Sequence, residues 1–331
     1  MSASVDCIND LAIPTLPAVL NPVELGEHLR ELVPLHTKGV DHLQVQVLRY
    51  HPGKRCVVEI TLRATERSFG LIGKVYAKDR SDVYQLMQEL RGAGFGPSDE
   101  FSIPRPIAYL PALQLLLLEK VHGRPAMESL LSDNESERTA VAERCARWLA
   151  QFHAVAPRMA PSFPLSDHLL SIERWFRRLA LLGEPFANKA GELFKRLEAA
   201  ASELQHIEKC TIHGSYTHHQ VLLAEGRTVT FDWDDYSLAD PSYDVARFIV
   251  GLQRLALRCL GSIRALDATT EVFLKTYVSR FGPGIMANLP FYRAAICLRL
   301  AKKDIGRQAA GWYKKAEATL DEGLHILELG V

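Results

Sequence analysis

The chain has 331 residues, 47% of them hydrophobic and 24% charged, which is enough apolar material to bury a core and excludes an intrinsically disordered protein. Lysine plus arginine and aspartate plus glutamate both number 39, so the net charge gives no reason to expect a nucleic-acid partner. The six cysteines (Cys7, Cys56, Cys145, Cys210, Cys259 and Cys297) are scattered without a C-x-x-C pair, which reads as buried thiols in a reducing compartment rather than a zinc or disulfide framework.

The N-terminal stretch MSASVDCINDLAIPTLPAVL has no basic leader and its apolar part is broken by prolines, so neither a signal peptide nor a membrane span is expected, and the cytoplasm is the default location. NPVELGEHLREL reads as the first helix, with Asn21 as its cap, Pro22 at its first position and Glu24 where a capping box places its acid. Residues 43–64, LQVQVLRYHPGKRCVVEITLRA, alternate as two strands about the turn His51-Pro52-Gly53-Lys54, and SFGLIGKVYAK reads as a third strand. DRSDVYQLMQELRGAG changes to helical period, with Val83, Leu86, Met87 and Leu90 on one stripe. RPIAYLPALQLLLLEKVHG gives two more strands, the second with the unbroken run Leu115–Leu118 expected of a strand covered on both faces.

Beyond Gly123 the pattern is helical. Val141, Cys145, Trp148, Leu149 and Phe152 share one face, and RWFRRLALLG and NKAGELFKRLEAAASEL follow with similar spacing. Short strands return only at 221–232, around the turn AEGR. The expected organisation is α+β: an N-terminal helical extension over 1–34, a small β-rich lobe with one helix over 35–122, and a larger helical lobe over 123–331.

The stretch TIHGSYTHHQVLLAEGRTVTFDWDDYSLADP, 211–241, concentrates groups that move protons, bind metals and bend loops. It resembles the aminoglycoside phosphotransferase and choline kinase-like family, which has the two-lobe protein-kinase-like fold. That family's catalytic loop reads H-G-D-x-x-x-x-N and is followed by a hairpin, I-D-W and G-D-P-x-x-D. The matching residues are His213-Gly214-Ser215, Gln220, Phe231-Asp232-Trp233, Asp240-Pro241 and Asp244. The resemblance implies an ATP- and Mg²⁺-dependent phosphotransferase acting on a hydroxyl of a small molecule. It implies that Asp232 and Gln220 hold the metal, that Lys74 contacts the α- and β-phosphates with Glu89 as its partner, and that the backbone at Glu119–Val121 meets the adenine edge. Lys78 competes with Lys74. No G-x-G-x-x-G is present; only HPGKR lies between the first two strands, a short turn that can either contact phosphates or serve as a plain hairpin turn.

Two positions depart from the family. Ser215 replaces the aspartate that takes or orients the acceptor's proton, and Gln220 replaces the asparagine, retaining an amide oxygen on a longer arm. His213 is expected to brace the loop rather than act as the base, and Asp244 to anchor a helix. His218, His219, Asp234 or Asp235 are candidates for a substitute base, since imidazole titrates in the useful range. The alternative is a pseudokinase that binds nucleotide without turnover. A third reading is a metal hydrolase built on His213, His218, His219 and Asp232. The C-terminal excess of cations (Arg254, Arg258, Arg293, Arg299, Lys302 and Lys303) disfavours a cationic aminoglycoside and points to a neutral or anionic hydroxyl compound. The sequence carries no sign of oligomeric state.

Overall fold

The computed structural model describes residues 10–32, 40–64 and 67–330. Cys7 and the boundary expected between 34 and 35 lie outside these residues. The chain divides into two compact units, 1–122 and 123–331.

In the first unit, α1 (Leu16–Leu20) and α2 (Pro22–Leu32) precede β1 (Val40–His51), β2 (Arg55–Ala64) and β3 (Arg67–Tyr76), followed by α3 (Ser81–Gly92), β4 (Phe101–Ser102), β5 (Pro106–Leu110) and β6 (Leu115–Glu119). An antiparallel sheet runs in the order β1-β2-β3-β6-β5. Asn21 caps α2 as expected, its Oδ1 accepting from the Val23 amide at 3.0 Å. The alternation of β2 turns Cys56, Val58, Ile60 and Leu62 into one core, where they join Val75, Leu115 and Leu117 and the helical residues Ile13, Leu16, Val19, Leu25 and Leu29. The first two helices are therefore the cover of one sheet face. Strand β6 is buried on both faces, as its unbroken leucines predict.

The second unit contains β7 (Arg124–Pro125), α4 (Ala126–Leu130), α5 (Glu135–Val155), α6 (Leu165–Ala180), α7 (Phe186–Ala201), β8 (Cys210–Ile212), β9 (Val221–Ala224), β10 (Arg227–Thr230), β11 (Ser237–Ala239), α8 (Ser242–Cys259), α9 (Asp267–Phe281), α10 (Leu289–Arg307) and α11 (Trp312–Leu329). Strands β9 and β10 form the expected hairpin, and β7 pairs with β9. The sequence reading missed β8 and β11, which pair antiparallel around the loop between them. Three-residue strands are too short to display a period. Helix α8 is buried from Ser242 through Val250, with α10 packed along it and α5 packed on α9. Among the described cysteines, Cys56, Cys145, Cys210 and Cys297 are buried thiols, but Cys259, near the end of α8, is exposed. No helix among the described residues is long and apolar enough to cross a membrane.

Candidate active site

The loop between β8 and β9 carries the H-G-S residues, and the fold fastens it on both sides of Ser215. Tyr216 is fully buried, stacks on Trp148 at 5.5 Å and on Phe248 at 5.4 Å between ring centroids, and donates its hydroxyl to the Cys145 carbonyl at 2.9 Å. His213 is fully buried against Trp233, with centroids 4.6 Å apart. Gly214 between them has φ +74°, and a Cβ there would lie 2.0 Å from the Asp235 carbonyl oxygen, so no other residue fits.

The backbone of this loop is held by one carboxylate. Asp244, in the first turn of α8, is fully buried and accepts from the His213 amide at 2.6 Å and the Gly214 amide at 2.9 Å. His153 Nε2 lies 3.2 Å from the same carboxylate, and its Nδ1 lies 2.8 Å from the Tyr277 hydroxyl. Asp244 thus anchors the loop to the helix. Asp240 is a structural tie as well, accepting from the Ser242 amide and the Asn288 side chain, both at 2.8 Å.

The state of the His213 ring follows from its partners. Nε2 lies 3.1 Å from the Phe231 carbonyl, which can only accept, so Nε2 carries a proton. Burial lowers the ring's pKa against the opposing charges of Asp244, Asp232 and Asp235, so the ring is neutral at pH 7 and Nδ1 is bare. Nδ1 therefore accepts, and Ser215 Oγ, 3.2 Å away, donates its proton to it. The Ser215 oxygen keeps its lone pairs for another donor.

Asp232 follows β10 in the left-handed region, with φ 73° and ψ 63°. A non-glycine residue held there points to functional constraint. Its neighbours hold it. The Phe231 amide donates to the Gln220 carbonyl at 3.0 Å, Phe231 accepts from His213, and buried Trp233 donates Nε1 to the Thr230 carbonyl at 3.3 Å. This pairing brings the Gln220 backbone beside Phe231, next to Asp232. The Gln220 amide oxygen accepts from the Thr217 hydroxyl and retains a second lone pair. No group of three or more His, Cys, Asp or Glu among the described residues can hold a metal by itself. Two oxygen donors fit magnesium, which takes one or two protein oxygens together with substrate phosphates.

The proposed metal hydrolase set does not converge. Both ring nitrogens of His213 are engaged, Nδ1 by Ser215 and Nε2 by the Phe231 carbonyl. His218 is buried beside Gly251 of α8, with neither ring nitrogen hydrogen-bonded, and burial holds its pKa well below the usual range. For the same reason His218 is not a substitute base. His219 is exposed.

In the first unit, Lys74 lies inside β3 opposite Leu116 and is buried, whereas Lys78 is exposed beyond the strand. Because Val75 points into the core under α1 and α2, strand alternation turns Lys74 to the other face of the sheet. The expected partnership with Glu89 is a correction. Glu89 is exposed on α3 and forms no ion pair among the described residues, because the apolar stripe Val83, Leu86, Met87 and Leu90 directs the opposite side of the helix to solvent. Glu119 ends β6, its amide donating to the Arg105 carbonyl at 2.9 Å and its Oε2 accepting from the Arg105 amide at 3.0 Å. Val121 follows two residues later and is half-buried. The HPGK turn is occupied: the Asp10 carboxylate accepts from the Gly53 amide at 2.7 Å and the Tyr50 hydroxyl at 2.9 Å. A phosphate there would have to displace a carboxylate.

The β-rich first unit, the helical second unit and the braced H-G-S loop ahead of a hairpin and Asp232 define a protein of the protein-kinase-like fold. The chain belongs to the phosphotransferase enzyme family, whose model matches residues 39–268. Solved structures agree on the fold. The aminoglycoside phosphotransferase APH(4)-Ia matches with a TM-score of 0.61 at 15% identity over 94% of this chain and 100% of its own. Amicoumacin kinase hAmiN, in complex with AMP-PNP, Ca²⁺ and Ami, gives 0.62 at 15% identity over 95% of each chain. A choline/ethanolamine kinase family protein from Mesorhizobium loti gives 0.57 at 15% identity over 92% and 95%. A comparison with curated proteins found no match.

Proposed function

We propose that the protein is an ATP- and Mg²⁺-dependent kinase that phosphorylates a hydroxyl of a neutral or anionic small molecule, with a serine–histidine pair in place of the family's aspartate. The observation that supports this most is the hydrogen-bond chain from Ser215 Oγ through His213 to the Phe231 carbonyl, one residue from Asp232. Lys74 holds the α- and β-phosphates, the backbone at Glu119 and Val121 receives the adenine edge, and Asp232 with Gln220 supplies the protein's oxygens to the metal. Magnesium, when bound, neutralises charge on the phosphate oxygens. An enzyme of this kind with free thiols suits the cytoplasm.

In the transfer, the acceptor oxygen forms a bond to the γ-phosphorus as the bond from that phosphorus to the ADP oxygen breaks. The acceptor's proton passes to Ser215 Oγ while the serine proton moves to His213 Nδ1. The resulting imidazolium is supported by the negative charges of Asp244, Asp232 and Asp235. Phosphoryl transfer relies chiefly on positioning and electrostatics, so a relay weaker than a carboxylate suffices.

A second reading, nucleotide binding without turnover, is favoured by the missing carboxylate at 215. One set of measurements separates the two: product formation from ATP by mass spectrometry, with Mg·ATP-dependent thermal stabilisation as the control for binding. In the relay, Ser215→Ala and His213→Gln each lower turnover by roughly 10²–10⁴-fold, the general-base range. The double variant is no worse than either single one, because the two residues act as a unit. Additive losses would break the relay. Nucleotide stabilisation with no product from the wild type, and turnover gained on Ser215→Asp, would establish the second reading.

A further inference from the structure

The second unit holds a cavity of about 520 Å³ that reaches Gly214 of the loop and is walled by His168, Trp175, Asp235, Tyr243, Arg299 and Lys302. That volume suits a small metabolite. Its charge is the informative property. The Arg299 guanidinium lies 5.8 Å from the centre of the Trp175 ring and donates to the Tyr243 hydroxyl, and no carboxylate pairs with it among the described residues.

Arg247, one turn along α8 from Tyr243, is only 7% exposed, makes no hydrogen bond or ion pair among the described residues, and has its Nε buried without a partner there. Burial and, after it, the charge of Arg299 push its pKa down to about 10 and outweigh the opposing influence of Tyr243, Asp244 and Asp235, so it stays protonated at neutral pH, and the two guanidiniums repel one another. A buried cation is costly unless an anion or a set of acceptors compensates it. The remaining excess cations of this region are satisfied elsewhere or lie on the surface. Arg254 takes both oxygens of Asp304, Arg293 lies 3.8 Å from Glu322, and Arg258 and Lys303 are exposed.

His168 adds a neutral contact. Its Nε2 is buried without a partner, and its pKa is pushed down to about 4 by burial and then by Arg299, so the ring does not titrate near pH 7. The one carboxylate among the lining residues, Asp235, is exposed.

We propose that this cavity seats the acceptor substrate by an oxyanion, a carboxylate or a phosphate, held by the Arg299 fork with Arg247 behind it, so that the substrate is a hydroxylated small anion. Guanidinium forks match both oxyanions in two-point geometry, and the Trp175 ring limits where the Arg299 fork can lie. This substrate class rests on the phosphotransferase reading, because it places the acceptor's hydroxyl beside Ser215.

The test uses one sugar scaffold in four charge states: glucose, glucosamine, glucuronate and glucose 6-phosphate. Binding to the purified full chain is measured by calorimetry without nucleotide, with inorganic phosphate as a fifth probe. At least one of the three anions binds, at least tenfold more tightly than glucose, while glucosamine binds no better than glucose. Which anion binds separates carboxylate from phosphate.

Arg299→Met removes the guanidinium and abolishes the preference. Ser171→Asp, which adds a carboxylate to the cavity wall from a partly exposed helical position, abolishes it as well and guards against a misfolded arginine variant. No binding by any anion, a preference for glucosamine, or a preference that survives both substitutions overturns the proposal. Mg·ATP stabilisation is read separately. Its presence without anion binding removes the substrate class alone, and anion binding without it removes the kinase reading.

Discussion

Helix α8 carries two sets of charges that differ in how they are compensated. Toward its C-terminal half, Arg254 gives both Asp304 oxygens bonds of 2.6 and 2.7 Å and the Thr319 hydroxyl one of 2.7 Å. Its neighbour Gln253 bonds Glu322 at 2.7 Å, and Glu322 also receives Arg264 at 2.7 Å. Toward the N-terminal end, Asp244 is saturated by donors, but Arg247, less than one turn later, has no acceptor among the described residues. Charges that satisfy one another belong to the fold. A buried charge left unsatisfied makes the fold less stable until a ligand completes it, so the difference separates the structural half of the helix from the functional half.

The largest expected effect is at the saturated carboxylate. Asp244→Asn keeps one acceptor oxygen but sets an amide NH₂ against a backbone N–H or the His153 ring, so one donor is left buried and unmet. Removing one partner from a buried charge network costs about 3–5 kcal/mol. Urea unfolding should show a loss of that order, and product formation should vanish because the backbone of His213 and Gly214 is released. A variant with wild-type stability would show that the loop is held mainly by Tyr216 and Trp148.

Next in size is an acid-side effect of the unsatisfied end. The folded-state pKa of His168 is depressed from 6.5 to about 4, so the unfolded chain binds a proton that the native protein refuses. Its stability contribution is full above about pH 6.5 and is lost as pH falls toward 4, with a total of about 3 kcal/mol. His213 and His218 are shifted in the same direction and steepen the loss. His168→Phe keeps a ring in the edge contacts with Phe163 and Tyr243 and removes the titration. Its melting temperature should fall less between pH 7 and pH 4.5 than that of the wild type; parallel curves would place the acid lability elsewhere.

Much of this was legible in the sequence, but unevenly. In the first unit the longer strands and α3 follow from period and α2 from its capping residues, while the five-residue α1 and the two-residue β4 are too short to show one; the loop, Asp232 and Lys74 follow from the motif and from strand position. What escaped depends on contacts between residues far apart in the chain. The proton position on His213 is set by the Phe231 carbonyl, and the loop's backbone by Asp244, thirty or so residues along. The resemblance implies Glu89 as partner of the strand lysine, but the helix turns that position to solvent. His218 looked like a base because it stands in the loop, yet its side chain packs on α8. The C-terminal arginines were legible only as a sum, and their division into paired and unpaired needs the fold.

That division supplies the last and smallest effect, as a pair of matched substitutions. Arg254→Met leaves the Asp304 carboxylate without its bidentate partner in a setting where both side chains are mostly covered, 19% and 16% exposed. A loss of about 1–3 kcal/mol follows, since a desolvated acceptor is stranded. Arg247→Met strands nothing, because the guanidinium has no partner to abandon, and an apolar chain of similar length fills the same space beneath α8. Replacing a poorly compensated buried charge with a hydrophobe is often neutral or stabilising, so the melt should be unchanged or shifted slightly upward. Binding should show the reverse. Arg254→Met retains the preference for anionic over neutral sugars, whereas Arg247→Met weakens it by removing charge behind Arg299. If Arg247→Met instead unfolds the protein as severely as Arg254→Met, or leaves the anion preference intact, the arginine belongs to the structural half of α8 and the contrast along the helix fails.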